Sequence, residues 1–242
     1  MPELPEVETV RRGLHELIIG QTIASVEYDT EKSFPNSPAD VNAFLVGANI
    51  IDIRRRAKVL LIDLSTHYTL VIHLKMTGQL VYRATSVAFG AGHPSESLVG
   101  DLPDRSTRVT MTFHDESRLF FNDQRKFGWM RLMPTLEVPN IDFMKKVGPE
   151  PLEADFTAEA FVERFTRRAR SPIKAALLDQ TVIAGVGNIY ADESLWGGKD
   201  SSSNSRERRI KETTRGAISR ASRCHESCYR KRWQYRQKLR QC

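Results

Sequence analysis

The 242-residue sequence lacks any apolar run that approaches the roughly 18 residues a membrane-spanning helix needs. It has only three cysteines, too few and too clustered for the disulfide framework of a small secreted protein. The first residues are acidic and include prolines, unlike the basic and apolar start of a secretory signal. These absences predict a globular cytoplasmic protein with no membrane partner.

Basic charge is also scarce in most of the chain. Residues 197–242 contain 14 of the 36 Lys and Arg residues but 4 of the 30 Asp and Glu residues, and carry +10. Residues 1–196 hold 22 basic and 26 acidic residues and carry −4. Basicity favours a nucleic-acid partner, but the body can bind DNA only through a local basic face. The segment 197–242 has few aliphatic residues and no amphipathic period, so we expect disorder or a frameshifted gene end.

The N-terminal part is predicted to combine one helix with a β-sandwich. Apolar residues recur at helical spacing over residues 5–19. Residues 22–134 contain short apolar runs separated by turns, and residues 109–113 alternate as in a half-buried strand. Residues 85–106, rich in Gly, Pro and Ser, are expected to form an exposed loop. The predicted fold class is α+β, with a helical domain after the antiparallel sandwich.

Prolines separate the N-terminal domain, residues 1–134, from the helical domain. Residues 135–152 form the predicted linker and residues 153–196 the helical domain, which looks incomplete. Thr157 and Ser171 are the expected N-caps, the second followed by a proline at the first helical position.

A glycine turn at residues 185–187 precedes a predicted helix, Asn188–Trp196. Two helices joined by a glycine turn form a known DNA-docking arrangement.

The second residue, Pro2, carries distinctive chemistry. Once Met1 is removed, which a small second residue permits, the Pro2 nitrogen is a free secondary amine. An α-amino group titrates near about pH 8 and needs no activating base to act as a nucleophile. Attack on a sugar C1′ would expel a base and leave an iminium, which acidifies the C2′ proton and permits β-elimination of the 3′ phosphate. The alternative is that Pro2 merely tolerates removal of Met1.

Six segments resemble motifs of the formamidopyrimidine-DNA glycosylases, in the order in which that family has them. They are Met1–Leu14, Arg54–Leu61, His73–Gly78, Asn122–Gly128, Gly148–Leu152 and Ala184–Trp196. The resemblance implies a bacterial base-excision enzyme with a helix–two-turn–helix domain. Such an enzyme would act as a monomer on double-stranded DNA, remove oxidised purines such as 8-oxoguanine and formamidopyrimidines, and nick the strand as a lyase.

The resemblance also assigns catalytic roles. Pro2 matches the Schiff-base nucleophile, and Glu3 matches the acid that protonates the sugar ring oxygen or the departing base. Lys58 matches a lysine used in β-elimination and phosphate contact. The alternatives are a helix N-terminal charge for Glu3 and an ordinary solvated charge for Lys58.

Other implied roles concern DNA binding. A damaged base must leave the stack before a nucleophile can reach its sugar, and the family fills the resulting hole with three side chains that match Met76, Arg125 and Phe127. Wedge insertion restores stacking and kinks the duplex. The alternative for Met76 and Phe127 is ordinary core packing.

Phosphate contacts are implied for the helical domain. Arg170 and Asn188 match DNA contacts of the family, and Lys174 belongs to the same basic region. Backbone N–H groups at a helix start favour a phosphate. Arg167 and Arg168 are as readily explained as a solvated basic face.

Two departures from the family stand out. Ser106 occupies the position where many members have a histidine that contacts DNA. The family's four-cysteine zinc finger and its arginine are not matched, because three residues separate Cys224 from Cys228, Cys242 is the only other cysteine, and no C-x-x-C pair is present. We therefore expect no zinc and no other cofactor.

Three hypotheses follow. The first is an active glycosylase and lyase, and the second is a damaged-DNA-binding remnant impaired by the missing finger. The third, supported by the basic segment alone, is an RNA-binding protein. The related endonuclease VIII group shares the proline chemistry, but Pro2–Arg12 and Asn122–Gly128 fit the purine-directed group better.

Overall fold

The computed structural model describes residues 1–153, 156–168 and 170–197. The chain divides into two compact units, and the break at Lys145 falls inside the predicted linker. The first unit comprises Met1–Pro2 and Glu6–Lys145, whereas Glu3–Pro5 groups with the second unit, which begins again at Lys146. The predicted tail lies outside the described residues, except for Gly197.

The first unit combines helices with two antiparallel sheets, as predicted. Helix α1 (Leu4–Ile18) comes first, α2 (Pro38–Phe44) follows β1, and a short α3 (Asp142–Lys146) ends the unit. The strands are β1 (Ile23–Tyr28), β2 (Ile50–Arg56), β3 (Val59–Leu64), β4 (Tyr68–His73), β5 (Gly78–Arg83), β6 (Ala88–Gly92), β7 (Thr107–Phe113), β8 (Arg118–Asp123) and β9 (Trp129–Pro134).

One sheet has the order β1-β7-β8-β5-β6 and the other β2-β3-β4-β9. Apolar side chains of both sheets join one buried cluster, which makes the unit a β-sandwich. The apolar stripe of α1 is part of this cluster, with Val7, Val10 and Leu14 fully buried. Burial of this stripe explains why the spacing seen in the sequence forms a helix.

Two details differ from the sequence-based expectations. The predicted exposed loop 85–106 contains β6, which pairs with β5, and a 3-10 helix at Glu96–Leu98. The predicted linker contains another 3-10 helix, Thr135–Asn140, whose Val138 is buried against Val59 and Val71. Strand pairing with β5 in the first segment and apolar contacts of Val138 in the second therefore order regions whose composition alone indicates loops.

In the part of the second unit that the structure describes, three helices surround a small apolar core. They are α4 (Ala158–Thr166), α5 (Ile173–Leu178) and α6 (Asn188–Gly197). Thr157 is the N-cap of α4, as predicted, and its hydroxyl accepts a hydrogen bond from the Ala160 N–H. The Ser171 N-cap is wrong by one position, because Pro172 occupies the N-cap and makes no side-chain capping bond. No helix within the described ranges is long and apolar enough to span a bilayer.

Candidate functional site

Pro2 is buried, whereas Met1 before it keeps 44% of its surface exposed. Glu3 alone separates Pro2 from the first residue of α1, Leu4. While Met1 is attached, the Pro2 nitrogen is part of an amide. Removal of Met1 would turn this nitrogen into a free secondary amine.

Glu3 is only 1% exposed, and its carboxyl lies at the start of α6. One oxygen accepts backbone hydrogen bonds from Gly187 at 2.8 Å and Tyr190 at 3.3 Å, and the other accepts one from Ile189 at 2.9 Å. These N–H groups belong to the first turn of a helix or directly precede it, where no intrahelical acceptor exists. Glu3 is therefore a helix-start carboxyl, but for α6 rather than for the helix that follows it in sequence.

Lys58 lies just before β3 and is only 8% exposed, which rules out an ordinary solvated charge. The preceding Ala57 has a left-handed backbone with φ 51°, and its carbonyl accepts a 2.9 Å hydrogen bond from Arg55. Arg55 is itself buried and forms a 3.0 Å ion pair with Glu8 of α1. The turn that presents Lys58 is thus tied to the first helix.

Glu8 receives hydrogen bonds from three arginines, Arg11, Arg12 and Arg55. Although burial alone would raise the pKa of the Glu8 carboxyl, these bonds lower it to about 2.

His73 of β4 pairs with Val59 of β3. Val59 is the residue that follows Lys58 in sequence. Burial, together with the positive charges of Lys75 and Lys58, lowers the pKa of His73 to about 3. Its Nδ1 accepts a 3.0 Å hydrogen bond from the Lys75 backbone N–H. The ring is therefore neutral at physiological pH, with Nδ1 unprotonated.

Met76, Arg125 and Phe127 meet at the tips of two loops, although Met76 and Arg125 are 49 residues apart. The Arg125 Nη1 lies 3.2 Å from the Met76 Sδ, and its guanidinium carbon lies 4.9 Å from the centre of the Phe127 ring. Met76 is 39% exposed and Phe127 is 44% exposed, so neither belongs to the core. We call these three side chains the wedge cluster.

Lys32 also lies at this cluster, with its Nζ 5.6 Å from the centre of the Phe127 ring. An exposed lysine in the segment between β1 and α2 gives no local signal, because only the fold brings it to this ring. Its position adds a second cation to the exposed face of the wedge cluster.

Three residues are predicted to contact phosphate, and all lie around α5 and α6 of the second unit. They are two cations, Arg170 and Lys174, and one polar residue, Asn188. Arg170 and Asn188 are exposed. Lys174 forms a 2.7 Å ion pair with Asp192 of α6, so part of its charge is neutralised. Arg167 and Arg168 pair with acidic side chains at 2.8 and 2.7 Å, respectively, as expected for a solvated charged face.

Ser106 is 2% exposed and belongs to a hydrogen-bond network inside the first unit. Its N–H and hydroxyl both donate to Asp104 Oδ1, at 2.7 and 2.6 Å. A buried and satisfied serine cannot replace a histidine that reaches a phosphate.

Within the described ranges, no group of three or more His, Cys, Asp or Glu side chains could hold a metal ion. All three cysteines lie outside those ranges, so the prediction that the chain has no zinc site concerns residues that the structure does not describe.

The chain matches two family models. Residues 1–130 match the formamidopyrimidine-DNA glycosylase N-terminal domain, and residues 147–221 match the H2TH domain of the same family. The second match continues beyond Trp196, where the motifs recognised in the sequence end.

Formamidopyrimidine-DNA glycosylases from several bacteria are similar to this chain. The protein of Chloroflexus aurantiacus is 44% identical over 197 residues, which cover 81% of this chain and 65% of that protein. The protein of Roseobacter denitrificans is 38% identical over 200 residues, which cover 82% of this chain and 68% of that protein. The match to the first relative thus spans slightly less than two thirds of its length.

Solved structures of the Lactococcus lactis enzyme share the fold. One of them is bound non-covalently to DNA with an abasic site. Its TM-score is 0.77 at 32% identity, and the match covers 93% of this chain and 82% of that chain. Another, bound to DNA containing N7-benzyl-Fapy-dG, has a TM-score of 0.76 and 32% identity and covers 93% of this chain and 79% of its own.

Proposed function

The chain belongs to the formamidopyrimidine-DNA glycosylase family, and from this premise we propose that it excises oxidised purines from duplex DNA and then cleaves the strand. The substrates are 8-oxoguanine and formamidopyrimidines, and the working form is a monomer. The similarity to relatives named formamidopyrimidine-DNA glycosylases supports this choice of substrate.

Catalysis starts at Pro2 after removal of Met1. The lone pair of the Pro2 nitrogen forms a bond to C1′, and the base departs with the electron pair of the glycosidic bond. Glu3 supplies the proton that the ring oxygen or the departing base needs. The Pro2 nitrogen then loses its proton, and its lone pair forms the C1′=N bond as the C1′–O4′ bond breaks and the protonated ring oxygen leaves as the C4′ hydroxyl. The iminium formed by this ring opening withdraws electrons from C2′. Transfer of the C2′ proton to a base then forms the C2′–C3′ double bond and expels the 3′ phosphate.

Lys58 assists the second stage. Lys58 is buried beside β3, so its side chain has little contact with bulk water. This placement favours a contact with a phosphate or with the group that accepts the C2′ proton. Arg170, Lys174 and Asn188 bind the phosphate backbone through the second unit, with Asn188 at the start of α6.

The observation that carries the proposal is the wedge cluster. Two apolar side chains and an arginine stand exposed and in contact at two loop tips, which is costly in water but suited to a gap in a base stack. Extrusion of a base creates such a gap.

The test is reductive trapping on a duplex with one 8-oxoguanine. We expect the full chain, with Met1 removed, to yield a borohydride-stable adduct with the DNA. The matched control, Pro2→Gly, should lose base excision by about 100-fold or more while it still binds the damaged duplex. Excision by Pro2→Gly at the wild-type rate would overturn the assignment of the nucleophile. Tight binding by the wild-type chain without any adduct would instead support the damaged-DNA-binding alternative.

A further inference from the structure

Asp123, the last residue of β8, is fully buried beneath the wedge cluster. Its Oδ2 accepts backbone hydrogen bonds from Phe127 at 2.8 Å and Gly128 at 2.6 Å. Its Oδ1 accepts one from the Arg125 N–H at 3.2 Å and another from the Thr77 hydroxyl. Each oxygen thus serves two donors, and all four donors belong to the loops that carry the wedge cluster.

The Thr77 hydroxyl joins the two loops. It donates to Asp123 and also accepts a 3.1 Å hydrogen bond from the Arg125 N–H. Thr77 directly follows Met76 in the loop between β4 and β5, whereas Arg125 and Phe127 lie in the loop between β8 and β9. One buried carboxyl therefore ties together segments almost fifty residues apart.

Both loops contain a backbone that L residues rarely adopt. Lys75, which precedes Met76, has a φ value of 51°. Lys126, which lies between Arg125 and Phe127, has a φ value of 56°. Such left-handed residues persist only when their surroundings hold them. At the end of the second loop, a Cβ on Gly128 would lie 2.7 Å from the Phe121 ring and 3.1 Å from Asp123 Oδ2. The Phe121 ring, with the Asp123 carboxyl close by, therefore leaves no room for a side chain at position 128.

We propose that Asp123 is a positioning residue that holds Met76, Arg125 and Phe127 in the arrangement needed to fill the gap left by an extruded base. Asp123 touches no DNA itself and acts through the four hydrogen bonds. Loops already ordered in the free protein lose less conformational freedom when they insert into a duplex. This inference rests on the proposed function, because it assumes that the wedge cluster enters DNA.

The test compares the full-length Asp123→Asn variant with wild type. An amide can replace only one of the two acceptor oxygens, so two of the four donors lose their partner. The matched control is Asp63→Asn, since Asp63 is a buried carboxyl that binds Arg54 and Thr69 in the other sheet, away from both loops.

The first measurement needs no catalysis. It uses a duplex with a tetrahydrofuran abasic analogue and 2-aminopurine in the opposite strand, whose fluorescence reports stacking at the gap. We expect wild type and Asp63→Asn to change the fluorescence, and Asp123→Asn to show a smaller change and about tenfold weaker binding. Thr77→Val should resemble Asp123→Asn in part, and Thr77→Ser should restore the signal because it keeps the hydroxyl.

The second measurement separates positioning from general damage to the protein. Borohydride trapping on a single-stranded abasic oligonucleotide requires no wedge, so Asp123→Asn should equal wild type there and fall behind on the duplex. Equal losses on both substrates, or a wild-type fluorescence change in Asp123→Asn, would overturn the proposal. Failure of the Pro2 chemistry would look different, because no variant would form an adduct while the fluorescence difference between wild type and Asp123→Asn persisted.

Discussion

The backbone N–H of Gly187 donates a 2.8 Å hydrogen bond to the carboxyl of Glu3, although the two residues are 184 positions apart. A Cβ on residue 187 would lie 2.4 Å from the Glu3 Cδ, so only glycine permits this approach. The residue next to the proposed nucleophile is therefore fixed by the first turn of α6. The start of the chain, which is usually mobile in proteins, is anchored here.

We expect Gly187→Ala to displace the Glu3 carboxyl. The added methyl group should cost roughly 1–3 kcal/mol of stability and reduce base excision more than DNA binding. Thermal unfolding and single-turnover excision would measure both effects. The control is Gly100→Ala, whose Cβ would meet its nearest neighbour at 3.3 Å. Wild-type excision by Gly187→Ala would show that the position of Glu3 is unimportant.

Glu3→Gln should reduce removal of 8-oxoguanine by about 100-fold, with a smaller effect on cleavage of a pre-formed abasic site. The carboxyl is needed as an acid mainly while the base departs. One acceptor oxygen is also lost from the start of α6, which should lower stability by about 1 kcal/mol. Unfolding curves correct for that loss. Equal decreases on the two substrates would contradict an acid role and favour a purely structural one.

The acid stability of the first unit should depend on Glu8. Its pKa is about 2 in the folded protein and 4.5 as the ordinary value, so the unfolded chain takes up a proton first as the pH falls. The stabilisation is complete above about pH 4.5 and is lost progressively towards pH 2. After allowance for solvent screening it should amount to about 2 kcal/mol.

Denaturant unfolding between pH 6 and pH 2 would measure this contribution. Glu8→Gln should flatten the profile, whereas Glu16→Gln, which changes an exposed carboxyl of the same helix, should not. An unchanged slope in Glu8→Gln would contradict the prediction.

His73 should stay neutral well below the pH at which an ordinary histidine titrates. Its pKa is about 3 rather than 6.5, so the unfolded chain binds a proton first and the stability contribution falls as the pH drops from 6.5 towards 3. Nitrogen-detected NMR should show a neutral ring with the proton on Nε2 down to about pH 4.5, with His73→Gln used to assign the signal. A titration midpoint near 6.5 would disprove the burial effect.

The 242-residue chain should bind no stoichiometric zinc, because three cysteines at these spacings do not supply four tetrahedral ligands. Metal analysis of purified protein tests this point directly.

The +10 charge of residues 197–242 should instead give salt-sensitive, sequence-independent DNA binding. Deletion of these residues should therefore reduce the salt dependence of binding. One zinc ion per chain, or an unchanged salt slope, would contradict this interpretation.

Local patterns predicted much of the fold. The helical spacing in α1 and the N-cap at Thr157 are confirmed, because both depend on neighbours within a few residues. The motifs also pointed to the family. The loop expected at 85–106 was only partly right, since β6 is ordered by pairing with β5 rather than by its own composition.

The sequence by itself determined the amphipathic stripe of α1, the β-rich character of the next hundred residues, and the identity of the residues at the proposed site. It could not reveal that Glu3 binds α6, that Lys58 is buried, or that Met76 and Phe127 are exposed. Those facts depend on contacts between residues tens to hundreds of positions apart, and no local period encodes such contacts. Tertiary structure alone brings Asp123 beneath Met76, Arg125 and Phe127, because the loops that carry them meet only after β4, β5, β8 and β9 have paired.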